Sequence, residues 1–357
     1  MWPNRSLLEL LEIELPIIQA PMAGASGSAL AIAASEAGAL GFLPCAMLSG
    51  DKIRAEVGII RQQSAKPFGL NFFCHRPPQA DPERDAAWRQ RLGPYYAEFG
   101  LEPSAGPAPA QMPFDAAMCE IVEDLAPKVV SFHFGLPADD LLQRVKQTGA
   151  TVISSATTVA EAAWLEDHGC DAIIAQGYEA GGHRGMFLTE DINAQPGLIA
   201  LLPQVVDKVA VPVIAAGGIA DGRGIAAAFA LGAAGVQIGT AYLFTPESLI
   251  SDIYREALRQ ARDDRTALTN VFSGRPARGL INRVMREVGP ISSDAPAYPT
   301  AGAALGSLKA APEKSGSGDF SSAWAGQAAA LGREIGAAEL TRELASEAVM
   351  RLKLLAG

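Results

Sequence analysis

The most reactive side chain in a ligand-accessible setting is an imidazole on a glycine-rich loop. His183 follows Gly181-Gly182 and precedes Arg184-Gly185 within Ala175-Gln-Gly-Tyr-Glu-Ala-Gly-Gly-His-Arg-Gly185, directly after the apolar run Asp171-Ala-Ile-Ile174. Glycines 181 and 182 carry no Cβ, so both can take positive φ and turn successive N–H groups toward one point, where an anion or a polarised ring edge would sit. An imidazole there can be approached closely, and its reference pKa near neutrality suits it to act as a base. Taken alone, the same loop also fits a solvated surface turn. The elements that carry it decide between the two.

Those elements alternate. Short apolar runs lie near residues 17, 42, 71, 132, 153, 174, 214 and 238, and helical periodicity fills 27–38, 51–63, 114–126, 138–149, 159–169, 198–209 and 221–231 between them. Eight such strands predict an α/β fold, a (β/α)8 TIM barrel. An open doubly wound sheet is disfavoured because no G-x-G-x-x-G follows the first strand. The alternation breaks in residues 76–113, with Pro77-Pro78, a charged aromatic helical piece at 82–99 and a Pro- and Ala-rich run at 102–113. It breaks again in residues 263–320, where 295–318 reads as flexible. Both stretches predict a smaller, mostly helical cap over a barrel made of 1–75 and 114–262. Two terminal helices, at about 321–331 and 338–355, would pack back on the barrel within 321–357.

With 357 residues, 49% hydrophobic and 19% charged, the chain can fill a large core. Its net charge of −10, with no local basic run, argues against nucleic acid and anionic membrane partners. The four cysteines (45, 74, 119, 170) and four histidines (75, 133, 168, 183) show no metal-ligand spacing, so no metal site is expected. No apolar run is long enough to span a membrane and no signal-peptide pattern opens the chain, which predicts a soluble, cytoplasmic protein. Monomer and homodimer are equally compatible with these features.

In TIM barrels ligands meet the C-terminal strand ends, and phosphate favours the loops after strands seven and eight. Here those ends are Ala216-Gly217-Gly218 and Gly239-Thr240. Glycine N–H groups, a threonine hydroxyl and the N-terminus of the helix beginning at 221 predict a phosphate cradle without lysine. Asn71 interrupts an apolar strand, and its amide must bond nearby backbone or a ligand. A phosphate at that corner would extend its organic part past Gln176, Asn71 and Met22, which describes flavin mononucleotide (FMN).

Four motifs, Pro16-Ile-Ile-Gln-Ala-Pro-Met-Ala-Gly24, Gly69-Leu-Asn-Phe-Phe73, Ser131-Phe-His-Phe-Gly135 and Gln176-Gly-Tyr-Glu-Ala-Gly-Gly-His-Arg-Gly185, resemble those of the class I FMN-dependent nitronate monooxygenases, formerly 2-nitropropane dioxygenases. The likeness continues through Ala215-Ala-Gly-Gly-Ile219, Val236-Gln-Ile-Gly-Thr240, Ser273-Gly-Arg-Pro-Ala-Arg278 and Trp324-Ala-Gly-Gln327. Several motifs are shared with FMN-dependent enoyl-acyl-carrier-protein reductases; Ser131 to Gly135 and Arg184-Gly185 tilt the choice toward nitronates.

The resemblance implies that Ala20 and Met22 line the flavin ring and that Asn71 and Gln176 meet its polar edge or the ribityl chain. It places Gly181, Gly182, Gly217, Gly218, Gln237, Ile238, Gly239 and Thr240 around the ribityl phosphate. His183 is implied as the base toward a neutral nitroalkane and as an electrostatic partner of a nitronate anion, with His133 as a second substrate contact. Tyr298 and Lys309 in the cap would add a hydroxyl and a cation. The implied reaction is oxidation of a small anionic nitronate, of the propionate 3-nitronate type, by dioxygen to a carbonyl compound plus nitrite or nitrate, a detoxification. Roles for Tyr178, Glu179 and Arg184 stay open; His75 is read as structural and His168 as a surface residue. Competing readings are an NAD(P)H-dependent FMN reductase of enoyl thioesters or quinones, a flavin-free isomerase or lyase, and a non-catalytic binding module.

Overall fold

A computed structural model describes residues 2–103 and 113–356. Its strands are β1 (Ile17–Gln19), β2 (Gly41–Pro44), β3 (Phe68–Phe73), β4 (Val129–His133), β5 (Thr151–Ala156), β6 (Ala172–Gln176), β7 (Gly182–His183), β8 (Val213–Ala216), β9 (Gly235–Ile238), β10 (Thr266–Thr269) and β11 (Ala277–Leu280). Eight of these form one parallel sheet in the order β1-β9-β8-β6-β5-β4-β3-β2. A parallel bridge between Ile18 and Leu40 joins its two ends. The barrel is therefore closed, as the alternation predicts.

What fills the barrel explains where its ligand space lies. Helix α1 (Ser6–Leu11) sends Leu7, Leu8 and Leu11 onto Ile18, Phe42, Val129, Ile174 and Ile214, forming one buried cluster. Apolar side chains thus plug the N-terminal end, and open volume is displaced to the C-terminal strand ends. Outside the strands, α2 (Ser28–Glu36), α3 (Gly50–Gln63), α5 (Ala116–Leu125), α6 (Asp139–Gln147), α7 (Val159–Asp167), α8 (Leu198–Lys208) and α9 (Gly222–Ala230) bury a larger cluster. (Helix α4, between α3 and α5, is Pro82–Glu98.) Gly41 is a position where close approach requires glycine: a Cβ there would lie 2.0 Å from the Ala31 carbonyl oxygen of α2.

Over the mouth, Trp88, Leu92, Tyr95 and Tyr96 of α4 share a core with Val271, Val284, Met285 and Phe320. The Trp88 indole N–H donates to the Ala301 carbonyl at 3.0 Å. The two irregular stretches of sequence therefore meet, although residues 104–112 of the Pro- and Ala-rich run lie outside the described residues.

Two expectations are corrected here. Residues 295–318 are ordered by a 3-10 turn (Thr300–Leu305) and a helix (Gly306–Glu313) whose Leu305 and Leu308 are buried in the same core. Residues 321–331 do not form the expected helix. Trp324 bridges antiparallel to Gly279, the Ala325 N–H donates to the Arg278 carbonyl, and 3-10 geometry covers only Ala329–Leu331. The last helix, Ala337–Leu355, packs against α2 and α9. No helix among the described residues is long and apolar enough to cross a membrane.

Candidate active site

A second sheet, absent from the sequence reading, sets His183 in place. β7 pairs antiparallel with β11, placing Ala277 opposite His183 and Arg278 opposite Gly182, and β11 pairs with β10. The His183 carbonyl accepts from Gln176 Nε2 at 3.0 Å and from His133 Nε2 at 3.2 Å. Gln176 Oε1 in turn accepts from the Gly185 N–H at 2.8 Å. Its amide is thus engaged with the loop, an outcome that the expected contact with a ribityl chain did not include.

Arg184 points inward. Its guanidinium is fully buried and donates to Gln195 Oε1 (2.6 Å) and to the carbonyls of Ala180 (3.1 Å), Gln176 (3.3 Å) and Gly177 (2.7 Å). It closes the glycine-rich loop on itself. Glu179 receives the N–H of Leu198 at the start of α8, and Tyr178 lies under the Arg278 guanidinium, 4.7 Å from its ring centre. All three residues left open by the sequence are loop braces.

The loop glycines have different reasons. Gly182 has φ +75°, as expected. Gly181 does not adopt positive φ; a Cβ there would lie 2.5 Å from the Gly326 N. Its lack of a side chain admits the 325–326 segment.

The His183 imidazole faces a cavity of about 650 Å³ at the strand ends. Aromatic rings pack around the imidazole, with Tyr298 at 5.4 Å, Trp324 at 5.3 Å and Phe134 at 6.1 Å between ring centres, and of these Trp324 also lines the cavity. Phe134 is a non-glycine residue at φ +70°, a strained conformation of the kind that collects at functional sites. Its ring also carries the Arg275 guanidinium at 4.1 Å. Ser273 Oγ lies 2.9 Å from His183 Nε2. Sequence reasoning assigned no role to Ser273, Arg275, Phe134 or Trp324, although all four lie in quoted motifs.

His133 lines the cavity, but both its nitrogens are taken by the protein. Nε2 donates to the His183 carbonyl and Nδ1 stands 3.1 Å from Ser155 Oγ. Burial, the first cause, pulls both imidazoles down to about 3; His133, Arg275 and His75 add to the effect at His183, and Arg275 and Arg184 at His133. Both rings are therefore neutral at physiological pH. An unfolded chain takes up these protons near pH 6.5, whereas the folded chain resists them until about 3, so stability falls as pH drops through that window. The loss approaches about 1.4 kcal/mol per pH unit for each histidine. Urea midpoints measured from pH 7 to 5 should decline, and His133→Asn should make the decline shallower.

The other predicted positions divide clearly. Ala20, Met22, Asn71, Gly217, Gly218, Gln237, Gly239 and Thr240 line the cavity together with Gln176, Gly181 and Gly182. Ile238 instead is buried in the barrel's outer core, and its carbonyl accepts the Ala20 N–H. Asn71 Nδ2 donates to the Ser131 carbonyl and hydroxyl, so part of its amide is bonded to backbone. Tyr298 is brought against His183, while Lys309 lies on the outer cavity wall, half exposed and 3.9 Å from Glu313.

One part of the predicted phosphate cradle is removed. The N-terminus of α9 is capped by Asp221, which accepts from the N–H groups of Arg223 and Gly224, while Glu347 accepts from that of Gly222. Two carboxylates already occupy the donors an anion would need. Gly217 (φ +118°), Gly218 (φ +67°) and Gly239 remain, and among the described residues their N–H groups donate to no backbone carbonyl outside the strand ladder.

A family model for nitronate monooxygenase matches residues 4–347. The chain is 47% identical over 341 residues to the nitronate monooxygenase of Pseudomonas aeruginosa, covering 95% of this chain and 97% of that one. It is 43% identical over 347 residues to the nitronate monooxygenase of Paraburkholderia phytofirmans, covering 96% and 95%. Among solved structures, nitroalkane oxidase from Streptomyces ansochromogenes superposes with a TM-score of 0.89 at 39% identity, covering 98% of this chain and 99% of that one. FabK from Thermotoga maritima follows at 0.73 and 29%, covering 100% and 99%. With a family model along most of its length and a relative 47% identical across 95% of it, the chain belongs to the nitronate monooxygenase family of enzymes.

Proposed function

We propose that the protein binds FMN in this cavity and oxidises small anionic alkyl nitronates, of the propionate 3-nitronate type, with dioxygen, releasing a carbonyl compound and nitrite or nitrate and so removing a toxic metabolite. The observation that carries the proposal is the neutral His183 imidazole held at the wall of a cavity that Gly217, Gly218 and Gly239 also line. The residues present fit the cofactor. The volume of about 650 Å³ suits a ligand of that size. Gln237 Oε1 is buried with no hydrogen-bond partner among the described residues, leaving an acceptor for a ligand donor.

Ala20 and Met22 would lie along the ring, Asn71 and Gln237 would meet polar atoms, and Gly217, Gly218, Gly239 and Thr240 would cradle the phosphate. FMN supplies the electron acceptor that amino-acid side chains lack, passing electrons from the nitronate to dioxygen. His183 takes the α-proton of a neutral nitroalkane and, toward a preformed nitronate, offers a polar contact. Tyr298 packs against its ring, and Lys309 contributes positive charge along the outer wall, favouring an anionic substrate.

Gly218→Val tests the cradle. A β-branched residue at φ +67° costs about 1–2 kcal/mol; the loop relieves that strain by shifting its N–H away from the phosphate, and the purified variant should hold on the order of tenfold less flavin. Heat-released cofactor from the parent should have the mass of FMN. A fully loaded variant would remove the phosphate site from this corner.

A further inference from the structure

Ser273 Oγ meets three groups at once. His183 Nε2 lies 2.9 Å away, the Arg275 carbonyl 3.2 Å and the Arg275 N–H 3.4 Å. A hydroxyl has one proton to give and two lone pairs to offer, a carbonyl only accepts, and an amide N–H only donates. The arrangement that satisfies all three groups gives the hydroxyl proton to the Arg275 carbonyl and one lone pair to the Arg275 N–H. What faces His183 is the second lone pair, so Nε2 must carry the ring proton.

We infer that Ser273 is a positioning residue that fixes His183 as the Nε2–H tautomer, leaving Nδ1 as the nitrogen that takes the substrate proton. Among the described residues no hydrogen bond engages Nδ1. The inference rests on the base role proposed above.

Both partners are pinned. The Ser273 turn is closed by the Gly274 N–H donating to the Asn270 carbonyl at 2.7 Å. Gly274 sits at φ +88°, and a Cβ there would lie 2.0 Å from the Pro296 carbonyl oxygen. On the other side, the Arg184 N–H donates to the Pro276 carbonyl at 2.9 Å, and Ala277 is registered against His183. The turn between β10 and β11 thus carries the serine, and β7, paired with β11, carries the histidine. A single hydroxyl then chooses which nitrogen is basic.

The test is ¹⁵N NMR of the histidine-labelled holoenzyme, with the His183 signals identified by their loss in His183→Asn. The parent should show a protonated Nε2 and a bare Nδ1. Ser273→Ala should mix the tautomers and lower kcat/KM for a neutral nitroalkane by about ten- to hundredfold, inside the general-base factor of about 10²–10⁴. Oxidation of a preformed nitronate should be far less affected. Ser273→Thr, which keeps the hydroxyl, should restore both the tautomer and the nitroalkane rate. A parent protonated at Nδ1, or a Ser273→Ala variant with unchanged tautomer and unchanged substrate preference, would overturn the inference. Failure of the base role shows separately: His183→Asn would then oxidise neutral nitroalkanes at the parent rate, which overturns the proton-acceptor assignment of Nδ1 whatever tautomer the spectrum reports.

Discussion

His183→Asn is expected to retain bound flavin and to lose about 10²–10⁴ in kcat/KM toward neutral nitroalkanes, equivalent to about 2.7–5.4 kcal/mol of barrier. Asparagine can keep a hydrogen bond to Ser273 but has no basic nitrogen. Toward a preformed nitronate the loss should be much smaller, because no proton has to leave carbon. The low pKa of the ring, about 3, does not conflict with a base role. As the proton leaves carbon, negative charge grows beside the ring, and an adjacent anion raises the imidazole pKa just when protonation occurs. Steady-state rates with the nitroalkane and its nitronate, measured on one flavin-normalised preparation, give the ratio directly. Equal losses on both substrates would assign His183 to binding.

Arg184→Met is expected to produce the largest stability loss. It removes a fully buried cation and leaves Gln195 Oε1 and three loop carbonyls without their donors. A buried acceptor left without its donor costs about 1–3 kcal/mol, and with several left at once a loss of about 3–5 kcal/mol is expected. At roughly 2–4 °C per kcal/mol, Tm should fall by about 6–20 °C. Arg184→Lys should rescue little, since an ammonium cannot span the same fork of acceptors. Thermal unfolding followed by circular dichroism checks this, and a Tm within a degree or so of the parent would show that the loop is held by other contacts.

The barrel was legible because its signals are local. Each strand and each helix is written in a dozen contiguous residues, and the glycine-rich loop after β6 lies where a catalytic group belongs. The second sheet was not, since β7 is two residues long and meets a partner about ninety residues away. No periodicity marks so short a strand. Residues 321–331 have helix-like alanine content, yet tertiary pairing of Trp324 with Gly279 and of the Gly326 N–H with Thr240 Oγ1 holds residues 322–326 out of a helix. Asp221 misled in another way: an aspartate before a helix signals an N-terminus, and the same carboxylate then uses the donors that a phosphate would need. The role of Arg184 stayed open, because sequence does not show that four acceptors converge on its guanidinium. The motif around Ser273 was visible, but its meaning depends on a 2.9 Å contact with His183 across the fold.

The most direct measurement is an anaerobic absorbance experiment on the purified protein. Propionate 3-nitronate is added to one cuvette and NADH or NADPH to another. Rapid bleaching of a yellow protein by the nitronate, with no response to either nicotinamide, is the result predicted here. Bleaching by NAD(P)H with indifference to the nitronate would contradict it and move the protein to the reductases, and a colourless protein would contradict the flavin site itself.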